Sequence, residues 1–400
     1  MVGRLALVCV AVAAMGCTES RDGECDVRVP LGDNAESALQ TALIEQPSGR
    51  TVCLEEGTYR VRTELSVAKP GIRLRGAGRE ATVIDFAEQD LGANGLQITG
   101  DDVTIEALTV QDTPGDGIRA TQVRNVAFLD VTVRWSTPAS IENGAYGLYP
   151  VGCDGVRIER CLVSGSRDAG IYVGQSTRIL VTDSEAFGNV AGIEIENSTD
   201  AEVAYNRAYD NTGGILVFNL PGLPVQDGKR AKIHHNEVLH NNLPSFAEGG
   251  TVVADVPAGT GVIILASDDN EVHDNVIEGN DSVGVIFIHY LAALFGPYED
   301  PAFNPYPEGN YVHDNRMGQN GNAPAPLVLG AIPMVPVPDI VWDGCIDPSS
   351  MRGADGKNCV RNNGAATYFR ADLCGDFDGM TSTDISEATC EHEVLPVQNP

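Results

Sequence analysis

The sequence predicts an all-β solenoid of stacked parallel strands, on three observations. The segments GDDVTIEALTV, VRNVAFLDVTV, CDGVRIERCLV, STRILVTDSEA, DAEVAYNRA, RAKIHHNEV, DDNEVHDNVI and GNYVHDNRM align without gaps on Ile105, Phe128, Ile158, Val181, Val203, Ile233, Val272 and Val312. Successive spacings are 23, 30, 23, 22, 30, 39 and 40. The shortest suit one coil of short strands, whereas a helical-pair repeat needs more than about thirty residues; the longer ones mark insertions. Between these segments lie GIRAT, GLYPV, GIYVG, GIEIE, GILVF, GVIIL and GVIFI, each opening on Gly and then alternating with period two, as a half-buried strand does. Finally, Asn206, Asn236, Asn275 and Asn315 all stand three places after the anchor. Stacked coils would set their amides in one hydrogen-bonded column at the ~4.8 Å strand spacing. Cys161 falls in the same column, which gives it a structural role.

The remaining segments follow in chain order. Arg4 precedes the apolar run Leu5 to Met15, too short to span a bilayer. Residues 1–16 read as a signal peptide, and Ala14-Met15-Gly16-Cys17 resembles the lipobox of bacterial lipoproteins, with an ordinary cleaved signal as the alternative. The resemblance implies acylation at Cys17, a tether over 17–30, and an outer-membrane or cell-surface lipoprotein, otherwise a periplasmic one. AESALQTALIEQ is an amphipathic helix fit to cap the open end of a solenoid. The solenoid is expected over 31–318, and a cysteine-containing segment, 319–400, is expected to pack on its far end.

Composition narrows the function. Asp plus Glu number 56 against 26 Lys plus Arg, a formal charge of −30, which repels phosphate backbones and argues against nucleic acid. Contact with membrane is expected only through the lipid anchor. Export makes the cysteine count informative: setting aside Cys9 and Cys17 leaves Cys25, Cys53, Cys153, Cys161, Cys345, Cys359, Cys374 and Cys390. They group by proximity as Cys25 with Cys53, Cys153 with Cys161, and four near the end, of which Cys374 and Cys390 would close an acidic loop; other connectivities stay open. The spacings do not suit zinc, and no metal site is assigned. The loop Asp376 to Asp384 has the D-x-D-G rhythm of calcium loops, but Cys374 and Ile385 stand where ligands belong.

With TVCLEEGTYRV and IRLRGAGREATVIDF as first coils, the chain resembles the right-handed parallel β-helix superfamily, the pectin-lyase-like fold, in its single-stranded form. NGAYGLYPV, DAGIYVGQS, NVAGIEIENS and NTGGILVFNLPGLPVQ resemble, more narrowly, a bacterial group of parallel β-helix repeat proteins of unassigned activity. The superfamily includes pectin and alginate lyases, polygalacturonases, C5-epimerases and non-catalytic spikes, so the coil alone does not give the reaction. The G-H-G and R-I-K of polygalacturonases and the D-P-H-D of mannuronan epimerases are absent. Superfamily lyases often use calcium, so the resemblance admits that ion, though no ligand set in the sequence demands it. His234, His273 and His313 share one column and read as a metal or proton-relay stripe, or as the H-D-N repeat consensus alone.

Candidate site residues come from strand parity. After each Gly the inward residues are Ile118, Leu148, Ile171, Ile193, Ile215, Val262 and Val285, and their outward neighbours are Arg119, Tyr149, Tyr172, Glu194, Leu216, Ile263 and Ile286. The aliphatic half must be covered, by insertions near 218–230, 240–260, 290–309 and the apolar 325–342. The polar half, bordered by Trp135 and loop 136–146, is expected to be an exposed groove for a polysaccharide. Glu194, Tyr172 and Glu196 are the candidate catalytic residues, with Glu194 as base and Tyr172 as acid. Arg119, Tyr149, Trp135, Gln175 and Asn197 are the candidate substrate contacts. The two readings are an exported lyase, epimerase or hydrolase-type protein and a non-catalytic lipoprotein binding glycan or a partner protein, in either case a monomer.

Overall fold

A computed structural model describes residues 25–398 and 400; the expected signal peptide and Cys17 lie outside them. The chain winds as a parallel β-solenoid, three strands to a coil. One coil runs through Asp154–Glu159, Leu162–Ser164 and Ala169–Gly174, the next through Thr177–Thr182, Glu185–Phe187 and Ala191–Glu196, the next through Thr199–Ala204, Arg207–Tyr209 and Gly213–Phe218. Every pairing between named strands is parallel, in a 20-stranded sheet and an 11-stranded sheet. The anchors pair as the spacing requires: Phe128 with Ile105 and Ile158, Val203 with Val181 and Ile233, Val272 with Val312.

The core lies inside the coils. The anchors and the inward residues of the Gly-opened strands are all fully buried, each contributing about 1.5–3 kcal/mol by burial. At each corner one residue takes a left-handed conformation (Arg160, Asp183, Tyr205, His235, Asp274, Asp314) and the next side chain turns inward. There the Asn column forms as expected: Asn206 hydrogen-bonds Asn236, Asn236 bonds Asn275, Asn275 bonds Asn315, and Asn315 bonds Asn363. A second column, Asn189, Asn211, Asn241, Asn280 and Asn320, occupies the next corner. It also explains the opening glycines: a Cβ on Gly192 would sit 2.8 Å from the Asn211 amide, and one on Gly214 2.9 Å from that of Asn241.

Both open ends are closed. The helix Ala35–Glu45 buries Ala35, Leu39, Ala42 and Leu43 on the first coils. Its Glu36 accepts hydrogen bonds from the Arg62 and Thr63 amides, and Gln40 from that of Ser66, so the exposed edge strand has its donors satisfied. At the far end the coils continue past the expected boundary at 318. Ile340–Trp342 pairs with the strand Val283–Ile288, Cys359–Arg361 with Tyr311–His313, and Tyr368–Arg370 with Ile340–Trp342. The lengthened spacing hides these last turns from the repeat pattern. Ser382 then pairs with the outer edge at Arg370.

The disulfides correct the proximity grouping. Cys25–Cys53 forms as expected, but the C-terminal pairs are Cys345–Cys374 and Cys359–Cys390, and Cys374 does not join Cys390. Cys153 and Cys161 are free and buried. They flank the six-residue strand Asp154–Glu159, which at ~3.3 Å per residue holds them much farther apart than the ~7 Å a disulfide tolerates. Cys161 instead continues the Asn column, its amide donating to Ser184 Oγ at 3.0 Å. Among the described residues, no helix is long and apolar enough to cross a membrane.

A buried tyrosine–carboxyl cluster as candidate functional site

The outward half-stripe on the second sheet assembles as strand parity predicts: Arg119 pairs with Tyr149, and Tyr172 with Glu194. Its setting differs from the expectation. Tyr172, Glu194 and Glu196 are only 4%, 3% and 8% exposed, so the expected open patch is closed over. Val190, Val253, Val256 and Phe246 belong to the same apolar cluster as Tyr172, and the insertion holding Phe246, Val253 and Val256 ties to the rim through an Arg167–Glu248 ion pair. The insertions cover Leu216 and Ile263 as well, as their aliphatic nature requires.

Three tyrosines form the aromatic part. Tyr146 stacks on Tyr149 with ring centroids 4.3 Å apart, and Tyr172 meets them at 4.8 and 4.9 Å. The Arg119 guanidinium lies over the Tyr149 ring at 4.9 Å and faces Asp116 at 3.5 Å. Arg119, Tyr146, Tyr149 and Gln175 are half-buried and form the accessible edge. The Tyr172 hydroxyl donates to Glu196 Oε1 at 2.6 Å, the Tyr146 hydroxyl donates to Asp168 Oδ2 at 3.2 Å, and Gln175 Nε2 donates to the Tyr172 oxygen at 3.3 Å. Gly174 makes the first of these bonds sterically feasible, because a Cβ there would lie 2.5 Å from Tyr172 Cζ.

Burial dominates the electrostatics. It pushes the Asp168 carboxyl up to about 7, aided by Glu196 and opposed by the Tyr146 bond, and Asp116 up to about 6 against the pull of Arg119. Glu194 is raised well above the usual range by burial and by the neighbouring charges of Asp168 and Glu196. Glu196 is raised by burial too, less so because Tyr172 and Glu194 hydrogen-bond to it. Burial and the neighbouring carboxyls thus favour the protonated form of Glu194, whose Oε2 has no partner and no solvent. Burial also raises the Tyr172 phenol. The raised carboxyls are shifted toward acting as proton donors nearer neutral pH than a surface pair of glutamates does.

Two expected contacts serve other ends. Trp135 lies in the coil interior, its Nε1 donating to Thr113 O at 2.7 Å, and does not border the site. Asn197 is fully buried; its amide donates to Leu220 O and Val225 O and accepts from the Leu220 amide, fixing the loop that follows the strand Gly213–Phe218. Tyr146, Asp116 and Asp168 were not read from the sequence. Counting back in twos from the inward Leu148 places Tyr146 inside, but within the strand Tyr146–Val151 the alternation breaks at Gly147, where a Cβ would also face the core at Val163, and Tyr146 packs outside with Tyr149. Both aspartates stand just before an opening segment, Asp116-Gly117 and Asp168-Ala169-Gly170, which was the available signal.

Comparison with known proteins supports the same architecture. The family described as the right handed beta helix region matches residues 94–223 and 142–292. A search of the curated proteins finds no match. Among solved structures, the A-module of the mannuronan C-5 epimerase AlgE4 from Azotobacter vinelandii superposes with a TM-score of 0.57 at 17% identity, over 84% of this chain and 94% of that one. The AlgE6 A-module from the same organism gives 0.51 at 16%, over 84% and 91%. A lacto-N-biosidase from Eubacterium ramulus gives 0.50 at 11%, over 79% and 63%. At these identities the likeness is one of fold. With the repeat, the all-parallel coils and the family match in agreement, this chain belongs to the right-handed parallel β-helix superfamily.

Proposed function

We propose that this protein is an exported polysaccharide-processing β-helix whose acid–base groups are the Tyr172–Glu196–Glu194–Asp168 cluster. The observation that carries the reading is the buried group of carboxyls that accept from tyrosine hydroxyls, Glu196 from Tyr172 and Asp168 from Tyr146, in a setting that raises their pKa values. Arg119 and Tyr149 at the accessible edge suit an acidic sugar, the guanidinium forking to a carboxylate and the ring stacking on a pyranose face. A protonated carboxyl beside a phenol suits protonation of a glycosidic or ring-carbon position. Structural neighbours named as a mannuronan epimerase and a lacto-N-biosidase lend support at the level of fold. Three disulfides accord with an oxidising compartment, and the lipobox-like Cys17 is proposed as the anchor; mass spectrometry of the mature N-terminus should find it acylated.

The test is incubation with uronic-acid and neutral glycans, following new reducing ends, unsaturated-uronate absorbance and isotope exchange from solvent. Turnover is expected on an acidic glycan. Replacing Glu196 by Gln together with Tyr172 by Phe should lower it by about 10²-fold or more, with melting still cooperative. Undiminished turnover in that variant would place the chemistry elsewhere. A non-catalytic, glycan-binding role is the second reading, and the insertion lying over the cluster favours it; binding without turnover across the panel would select it.

A further inference from the structure

The H-D-N segments on the first sheet, at 273–275 and 313–315, do more than repeat. In each, the Asp adopts a left-handed conformation and its carboxylate meets the Nδ1 of the preceding histidine, at 2.8 Å for His273 and 2.7 Å for His313. A carboxylate there holds the proton on Nδ1 and leaves Nε2 with its lone pair. Both Nε2 atoms point at one oxygen, Glu271 Oε1: His313 stands 3.0 Å away and His273 3.9 Å. The Nε2 of His273 is shielded from solvent and has no hydrogen-bond partner. The other oxygen of Glu271 is committed, accepting from the Leu395 amide at 2.8 Å with Lys232 Nζ at 3.8 Å. Three acceptor atoms therefore converge within 4.8 Å of one another, on side chains only 1%, 8% and 7% exposed for Glu271, His273 and His313.

We propose that Glu271, His273 and His313 bind a divalent transition-metal cation, of which zinc is the representative. Facing lone pairs repel unless a proton or a cation lies between them, and one proton serves only one of the two imidazoles. Tetrahedral zinc, at about 2.0–2.2 Å from N and O donors, sets its ligands roughly 3.3–3.5 Å apart. The observed 3.0 and 3.9 Å to Glu271 bracket that separation, and the two imidazoles, stacked in parallel with centroids 5.1 Å apart, need their Nε2 atoms, now within 4.8 Å, drawn closer by tilting of the rings. Two imidazoles and a single carboxylate oxygen favour zinc-like ions over calcium, which takes six to eight oxygens. The aspartates at Nδ1 are the outer partners such ligands require. His234, stacked 4.9 Å from His273, stays out of the set because its Nε2 already meets Glu202 Oε1 at 3.0 Å.

The bound cation ties two coils together and, through Glu271, fastens the segment 391–398. That segment is tethered by Cys359–Cys390 and lies across these strands, with Leu395 O accepting from Lys232 and the Gln398 amide donating to Glu202. The site is on the other sheet from the tyrosine–carboxyl cluster and stands independently of the function proposed for it.

The experiment uses untagged, chelator-treated full-length protein titrated with zinc by calorimetry, with melting and cobalt absorption alongside. One zinc per chain should bind with a micromolar or tighter Kd, unaffected by millimolar calcium, and raise Tm. Cobalt should give the visible bands of a four-coordinate site. Glu271→Gln and His273→Gln should each weaken zinc at least hundredfold, whereas His289→Gln, at a His–Asp pair elsewhere, should leave it unchanged. His273→Gln removes the unpartnered Nε2 together with the Nδ1 bond to Asp274, so its fold is checked by its melt in the absence of metal. Absence of saturable one-to-one binding, equal affinity in the variants, displacement by calcium, or only six-coordinate cobalt spectra would each overturn the proposal.

Discussion

Acidification from pH 8 to about pH 5 should raise the melting temperature, against the common expectation for a protein losing ionised carboxylates. The sign follows from linkage. Asp168 and Asp116, pushed up to about 7 and about 6 by burial, keep protons that the unfolded chain releases near its ordinary carboxyl pKa. Asp268, also raised to about 7 by burial, and the raised Glu194 and Glu196 add to this. A raised acid contributes most below the unfolded pKa and loses that contribution as pH rises through the folded one, here between about 4 and 7. Asp101, Asp274 and Asp384 are held low by hydrogen bonds. Their contributions have the opposite sign but are lost only below about pH 4.5. His234 is lowered by burial and His313, despite burial, is raised by Glu271 and Asp314, so the two work against each other.

At about 1.4 kcal/mol per pKa unit, the raised acids make a difference on the order of several kcal/mol across that window. The check is a pH series of melts for the parent, Asp168→Asn and Glu56→Gln. Asparagine keeps an oxygen for the Tyr146 hydroxyl, so Asp168→Asn should stabilise at pH 8, do little at pH 5 and flatten the profile. Glu56 is exposed, and its variant removes the same charge without altering the slope. Parallel profiles for Asp168→Asn and the parent would show that the general relief of a −30 charge, not the buried cluster, sets the trend.

The same cluster shows where sequence reading stops. Parity and spacing gave the coil register, because an inward Ile or Val on each strand leaves no other way to bury the core, and the Asn206–Asn236–Asn275–Asn315 column followed from it. Parity also put Arg119, Tyr149, Tyr172 and Glu194 on one outer face. It could not show that the face is closed, since the insertion carrying Phe246, Val253 and Val256 lies several coils further along the chain. A break in alternation at Gly147, inside the strand Tyr146–Val151, hid Tyr146, and closeness in sequence misled for Cys153 and Cys161, where a strand intervenes. The second Asn column was readable in principle: Asn189, Asn211, Asn241, Asn280 and Asn320 each precede an insertion or a Gly-opened strand.

Replacing Asn236 by Ala should be among the most damaging single changes to the fold. Its Oδ1 accepts from both the amide and the side chain of Asn206, at 2.9 and 3.0 Å, while its Nδ2 donates to Val203 O at 2.8 Å and Asn275 Oδ1 at 2.9 Å. The substitution strands two buried donors on Asn206 and removes a donor from two buried oxygens, where water has no access. At about 1–3 kcal/mol per unsatisfied group, the loss should be on the order of 3–5 kcal/mol. Glu237→Ala, one residue on and exposed, removes only an ion pair with Arg207 at 3.0 Å and should cost under about 1 kcal/mol. Asn236→Asp separates size from direction, because a carboxylate keeps the acceptor but cannot donate to Val203 or Asn275, so it should fail as the alanine does. Because each coil touches mainly its neighbours, a break at mid-stack uncouples the two halves. Urea unfolding of Asn236→Ala should therefore show a lower midpoint together with a shallower or two-step transition, and a single transition of parental slope and midpoint would refute the ladder's role in holding the coils as one unit.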